Sequence, residues 1–568
     1  MKIKYVFLSM LACGMLAACN NDEVAEGSNN GNVSLEGESY MAIRLVAANE
    51  TGTRASEGNP AFELGEGDEN EVTSVDFYFY NDEGTFVVKG KTISSFKWND
   101  QAEGSNIESI SNVMVVLENV PEAPTQVLAV LNGGKVVGDL TNMDMEDALG
   151  KTISAYSYQA GEPEKTYFVM SNSAYVTGTG VQWATPITTA NLQSSADLAE
   201  DHPVDIYVER VAAKVELAKS GSFSASVNGD IQVDGKDAEL EITVNGWGLS
   251  GTNKSAYCVK NIQNTAYWTD WNAESNHRSY WAEDPNYSTG NYPSDYNGWN
   301  AENADHWALN YITYNDLTLS AEAGNEASAY CLENTMDKKT LAYDATTQSI
   351  QEPAVTHVLI AATMKVKESA AQTLYRYKGY FYTESEYKEA VLSDWEATGE
   401  GMIYTKTEGV GEDDPDTYTP LAVSDVEIED KGAGKVNLKL TTAALAETWY
   451  TLERYNPETG QATNATKVDE EKLAGLFAAV NDADGFKDGK MYYCVPIEHL
   501  NAAKGEVGSY GVVRNHLYKL TLDKIKNLGT AVYDPAEAII PDYNPETYYV
   551  AARLNILSWH IVEQNVSL

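Results

Sequence analysis

The chain predicts an all-β protein with a few short helices, organised as more than one domain. Tyrosine occurs 36 times against 16 prolines, so strand formers are abundant and strand breakers scarce. Short Val, Ile, Tyr and Thr runs alternate with Gly, Asn and Asp punctuation along the whole length. At 568 residues the chain exceeds one ordinary core, which predicts two domains or three.

The first strand signal covers residues 40–47, with Met41, Ile43 and Leu45 on one face and Tyr40, Ala42, Arg44 and Val46 on the other. An inward face of Met, Ile and Leu is the pattern of a half-buried strand. Residues 49–56 follow as a polar, Gly- and Thr-rich loop that presents Arg54-Ala55 to a trypsin-like protease. A strand joined to its fold by a cleavable loop is a removable one.

Residues 72–80, 85–88, 113–117 and 126–131 read as strands, with Asn81-Asp82-Glu83-Gly84 turning the first pair. Residues 142–149 read as a short helix capped by Asn142, and 167–170 and 204–217 as strands completing a first sandwich-sized unit. The Ser- and Gly-rich stretch 218–237 is the expected boundary, giving domains 55–220 and 221–568. In the second, strands are expected at 238–244, 357–367, 375–382 and 510–522, and an amphipathic helix at 469–480 capped by Asp469. An acidic exposed loop is expected at 409–417 and a long aromatic-rich loop at 267–307.

The chain closes on residues 553–568, read as a strand. One bulge near Ile556-Leu557 brings Leu554, Ile556, Leu557, Trp559, Ile561, Val566 and Leu568 mostly to one side. Burying about six such side chains at roughly 2 kcal/mol each, with roughly 1 kcal/mol per net ladder hydrogen bond, makes a long-lived joint even after ordering losses.

The N-terminus sets the location. Lys2 and Lys4 precede a mostly apolar run over residues 5–15, and Leu16-Ala17-Ala18-Cys19 closes it. This reads as a secretory signal over 1–18, too short to span a bilayer. Its ending resembles the bacterial lipobox, which implies Cys19 as the lipidated first residue of the exported chain. Asn20-Asn21-Asp22-Glu23 is similar to the surface-export signals of Bacteroidota lipoproteins. Two or three acyl chains suffice to tether the precursor to the outer membrane.

Composition then removes several classes of function. A formal net charge of −45 leaves no basic stripe to neutralise phosphates, which excludes nucleic acid and favours solubility outside the cell. Beyond Cys13 and Cys19, the thiols Cys258, Cys331 and Cys494 lack zinc spacing or a disulfide framework. Either one bridge plus a buried thiol or three buried thiols fits that spacing. The seven histidines include no HExxH pair, and neither a GxSxG elbow nor a phosphate-cradling GxxxxGKS/T occurs. Asp482-Ala483-Asp484-Gly485 fails as a calcium loop, because Phe486 and Tyr493 stand where ligands are needed. No catalytic residue, metal or cofactor is therefore expected, and the chain reads as a non-enzyme.

The lipobox, the strand before Arg54-Ala55 and the closing Leu554-Asn555-Ile556-Leu557-Ser558-Trp559 resemble the fimbrillins of Bacteroidota, most closely the major shaft subunit of short, minor-type fimbriae. Internal phrases resemble that family too: Glu209-Arg210-Val211-Ala212-Ala213-Lys214, His277-Arg278-Ser279-Tyr280-Trp281, Tyr330-Cys331-Leu332-Glu333-Asn334-Thr335 and Gly511-Val512-Val513-Arg514-Asn515-His516-Leu517-Tyr518. The resemblance implies a type V pilus subunit of two transthyretin-like β-sandwich domains in tandem. It implies cleavage after Arg54 by an arginine-specific or trypsin-like protease, releasing the 19–54 propeptide and its Met41, Ile43 and Leu45 strand. Donor-strand exchange follows, in which the 553–568 strand of one copy fills the groove of the next, giving a head-to-tail homopolymer. Anchor and tip subunits and a host protein or glycan receptor complete the implied partners, with adhesion, biofilm formation or colonisation as the outcome.

Two other readings compete with a shaft pilin. The aromatic stretch 267–307, including Trp268, Trp271, Trp281 and Trp299, fits the stacking surface of a glycan-binding surface lipoprotein, or else core packing. An anchor or tip subunit of the same fimbria would lack the cleavable start or the donor strand, and this chain carries both features.

Overall fold

The computed structural model describes residues 38–48, 65–92, 96–97, 99–100, 107–118, 120–178, 180–227, 231–262, 272–273, 277–285, 309–322, 324, 327–335, 355–398, 402–411, 414–499, 510–540 and 560–567. Its first layer of structure is one curled sheet. The strands that shape it are β1 (Glu38–Ala48), β2 (Val75–Tyr80), β3 (Phe86–Lys89), β4 (Lys91–Thr92), β5 (Ile107–Glu118), β6 (Gln126–Leu131), β7 (Met170–Asn172) and β8 (Val204–Arg210). They lie in the order β3-β2-β6-β7-β8-β1-β5-β4.

The two ends of that path are consecutive in sequence, separated by Gly90 alone. The sheet therefore curls until its edges meet around a single chain segment. Gly90 N–H donates to the Phe77 carbonyl at 2.9 Å, and a Cβ at Gly90 would stand 2.5 Å from Val115 Cγ1 and 2.8 Å from Phe79 Cε2. Only glycine lets a strand turn this corner so close to its neighbours. The curl encloses Phe77, Phe79, Val113, Val115, Leu117 and Ile206 together with Met41, Ile43 and Leu45. Asn142 does not cap the short helix that follows. It takes a left-handed φ of 64°, as Asn tolerates, and the helix Met145–Leu149 starts after the extended Asp144.

Residues 204–217, which read as one strand, are two. The break falls at Val211, upstream of the Ser/Gly stretch, and β9 (Ala212–Ala225) already belongs to the next sheet. With β10 (Leu240–Ser250), β11 (Ser328–Leu332), β12 (His357–Val366), β13 (Lys490–Pro496), β14 (His516–Ile525), β15 (Thr530–Ala531) and β16 (His560–Ser567), it forms a sandwich. One sheet runs β11-β9-β14-β16 and the other β10-β12-β13-β15. Val215, Leu217, Tyr518 and Leu520 from the first meet Trp247, Ile360 and Val495 from the second.

A further sheet, built from segments between residues 231 and 486, carries a helix that the sequence reading left out. The helix Glu384–Ala397 buries Tyr387, Val391, Leu392 and Trp395, while Glu384, Glu386 and Glu389 make its sequence look like a polar loop. The helix expected at 469–480 is instead confined to Glu470–Ala474. Asp469 does cap it, accepting from Lys472 N–H at 2.8 Å, but Gly475 ends it after little more than one turn. Leu476, Phe477 and Val480 are still buried, from turns rather than a helical face.

Candidate functional site

β1 is an interior strand. It runs antiparallel to β5, with Ile43 opposite Val113, and parallel to β8, with Ile43 opposite Val204. Met41, Ile43 and Leu45 are 0%, 1% and 0% exposed, as alternation in a strand covered on one face requires. Each such side chain contributes about 1.5–3 kcal/mol by leaving water. On the other face Arg44 grips Asp205 of β8 through two bonds, Nε to Oδ1 and Nη2 to Oδ2, each 2.5 Å. The pair is open to solvent, with side chains 42% and 34% exposed. Withdrawing β1 from this arrangement opens an apolar slot flanked by the freed ladder edges of β5 and β8.

β16 is held differently. It pairs in parallel with β14, His516 opposite His560 and Leu522 opposite Val566, and among the described residues no strand pairs its other side. The last strand thus lies at an edge of the chain's own sheet. Ile561 and Val566 occupy register positions there, whereas Leu554, Ile556, Leu557, Trp559 and Leu568 fall outside the described residues, as do Cys19, Arg54 and Ala55.

Between the slot and the edge strand lies a buried polar seam that sequence reasoning did not assemble. Lys260 Nζ stands 3.2 Å from Glu209 Oε2 with both side chains fully buried, and donates to the Ser279 carbonyl at 2.7 Å. Burial pulls the Lys260 amine below its ordinary pKa against the opposing pull of Glu209. Lys214 meets Glu69 at 2.8 Å, and Arg514 meets Glu333 at 3.0 Å while donating to the Cys258 carbonyl at 2.9 Å. Arg210 donates to the Glu69 carbonyl at 2.9 Å and to Asn515 Oδ1 at 3.3 Å, tying the first sheet to the start of β14. Tyr518 Oη accepts from Val513 N–H at 2.8 Å and stands 2.9 Å from His499 Nδ1. Burial, reinforced by Lys260, holds the His499 pKa down to about 3.

The four internal phrases quoted above therefore meet at one place, where Glu209, Ser279, Glu333 and Arg514 are neighbours in space. Their partners Glu69 and Lys260 were missed: Lys260 stood out only as a charge after the apolar run Ala256-Tyr257-Cys258-Val259, and Glu69, inside an acidic Gly-rich stretch, gave no signal. Cys258, Cys331 and Cys494 are buried and form no disulfide among the described residues; burial pushes the Cys258 pKa up to about 11 and that of Cys331 up to about 12, which keeps those two thiols protonated and unreactive. Trp281 is fully buried, and most of the aromatic stretch 267–307 lies outside the described residues. Among the described residues no group of three His, Cys, Asp or Glu side chains is placed to hold a metal, and no helix is long and apolar enough to cross a membrane.

Comparison with known proteins meets these same regions. Residues 39–208, which contain β5 and most of β1 and β8, match the sequence model of the major fimbrial subunit protein (FimA). Residues 484–565, which contain β13, β14 and most of β16, match that of the C-terminal part of fimbrillin, the type IV major fimbrial subunit protein. No curated protein matches the chain. Solved structures that resemble it include proteins assigned to cell adhesion from Bacteroides eggerthii (14% identity, 60% of this chain and 79% of that one, TM-score 0.27) and Parabacteroides distasonis (12%, 59% and 78%, TM-score 0.27). A fimbrial assembly protein from Parabacteroides distasonis shares 12% identity over 77% of this chain and all of that one, with a TM-score of 0.26. An all-β chain matched at both ends by fimbrial subunit models is a structural subunit of a cell-surface fimbria. The two matched regions support a place for the chain among the Bacteroidota fimbrillins.

Proposed function

We propose that the chain is the shaft pilin of a short fimbria, exported as a lipoprotein on Cys19, cut after Arg54 and polymerised by donor-strand exchange. The observation that carries this reading is the position of β1: an interior strand with a fully buried apolar face, followed by the segment that holds Arg54. An arginine-specific or trypsin-like protease frees the 19–54 propeptide, and the 553–568 strand of another copy takes the vacated slot by β-augmentation. The contact is head-to-tail and does not close on itself, so it propagates as a filament between anchor and tip subunits. The mature chain comprises two transthyretin-like domains that divide at Val211, ahead of the expected boundary at residue 220, and are locked by the buried seam. Exposed on the cell surface, the filament serves adhesion and colonisation through a protein or glycan receptor.

The test is processing. Cells carrying Arg54→Ala should hold an acylated monomer in the outer membrane and show no fimbriae by electron microscopy. Normal filaments from that variant, or a wild-type subunit whose N-terminal sequence does not begin at Ala55, overturn the reading.

A further inference from the structure

The slot around β1 makes three demands on whatever fills it. The places of Met41, Ile43 and Leu45 are closed to solvent and need large apolar side chains. The place of Ala42 is 8% exposed and needs a small one. The place of Arg44 faces Asp205, whose carboxylate loses both guanidinium bonds when β1 leaves.

We propose that the incoming strand is read in a single register, residues 557–561 on the places of Met41–Leu45, which sets His560 against Asp205. The proposal rests on the strand-exchange reading and specifies its geometry. Between Arg553 and Leu568 only one set of three alternating residues is entirely large and apolar, namely Leu557, Trp559 and Ile561. Laid along the direction of β1, that set puts Ser558 on the small place of Ala42 and His560 on the place of Arg44. The histidine is thus a consequence of the apolar fit and was not used to choose it.

The alternatives each bury the wrong group. The same triplet laid in reverse puts the imidazole of His560 at the closed place of Ala42 and leaves Ser558 facing Asp205. A slip of two residues one way buries Glu563 at the place of Leu45, and the other way buries Asn555 at the place of Met41. Asp205 is about one-third exposed, so its contact with His560 selects among registers more than it strengthens the joint. In the structure His560 stands opposite His516 on β14, so exchange trades one parallel partner strand for a slot with two.

Cysteine bridging tests the register on the full-length chain processed to Ala55. Asp205→Cys combined with His560→Cys should give an intermolecular disulfide ladder on mild oxidation. The bridge formed within the uncut Arg44→Cys, Asp205→Cys chain sets the reference yield. Asp205→Cys combined with Ser558→Cys or with Arg553→Cys should give no ladder above the single variants. A ladder from either of those pairs in place of the His560 pair overturns the register while leaving strand exchange standing. Fibres formed by a chain lacking 553–568 overturn strand exchange itself, and the register with it.

Discussion

β1 and β16 both run parallel to a neighbour, yet the sheets hold them in opposite ways. β1 is flanked on both sides and seals a core with three side chains at 0–1% exposure. β16 has β14 alone. An interior strand cannot leave without opening two ladders, whereas an edge strand leaves by opening one and meanwhile presents a free edge. Of these two strands, the element expected to be removed is thus the more firmly closed, and the element expected to replace it the less firmly held. A covalent cut, rather than thermal opening, is the step that fits such a strand.

The largest expected effect breaks the closed side. Ile43→Asp sets an unpaired carboxylate in a site 1% exposed, and the uncut precursor should lose on the order of 4 kcal/mol or more, read by thermal unfolding. An unchanged melting temperature contradicts the interior placement of β1. The seam ranks next. Lys260→Met strands the Glu209 carboxylate without its cation and should lower stability by about 3–5 kcal/mol in a denaturant titration. The double variant Lys260→Met, Glu209→Leu should recover most of that loss, since buried pairs suffer chiefly from the removal of one partner. If single and double variants are equally unstable, the seam is held by packing and not by charge pairing.

These two sites differed in how far the sequence revealed them. The slot was legible because a strand covered on one face obeys a period of two, so Met41, Ile43 and Leu45 could be placed from spacing alone. The seam has no period. Glu69, Glu209, Lys260, Glu333 and Arg514 come from five separate stretches and acquire meaning only when the sheets bring them together. The helix Glu384–Ala397 was missed for a related reason: its apolar stripe is narrow, and its acidic first turn imitates a loop. The split of 204–217 was hidden because no Gly, Pro or Asn interrupts the run through Val211, so nothing in the sequence marks the point where the chain changes sheets.

Acid should separate the two halves of the molecule. Burial holds His357 of β12 down to about 4 and His499, just after β13, down to about 3. Both folded-state values lie below the ordinary value of about 6.5. The unfolded chain therefore binds protons first, and the stability is complete above about pH 6.5 and is lost as pH falls toward 4 and 3. Each histidine removes about 1.4 kcal/mol per pH unit inside that window. Hydrogen exchange at pH 7 and pH 5 should show β12 and β13 losing protection before β5 and β6. Equal loss in both sheets contradicts burial of the two imidazoles as the cause.

The smallest expected effect concerns the Arg44–Asp205 ion pair of β1. Arg44 and Asp205 are bonded at 2.5 Å through two atoms each, but their side chains are 42% and 34% exposed, so water and salt compete for both charges. Arg44→Ala should lower the melting free energy of the uncut precursor by less than about 1 kcal/mol, with the difference shrinking in high salt. Leu45→Ala, one residue along the same strand, should lower it by about 2–5 kcal/mol regardless of salt. The ratio between those two measurements states what holds β1 in place. If Arg44 outweighs Leu45, the slot is an electrostatic clasp that an apolar strand cannot refill. If Leu45 dominates, any strand with the right alternate residues can.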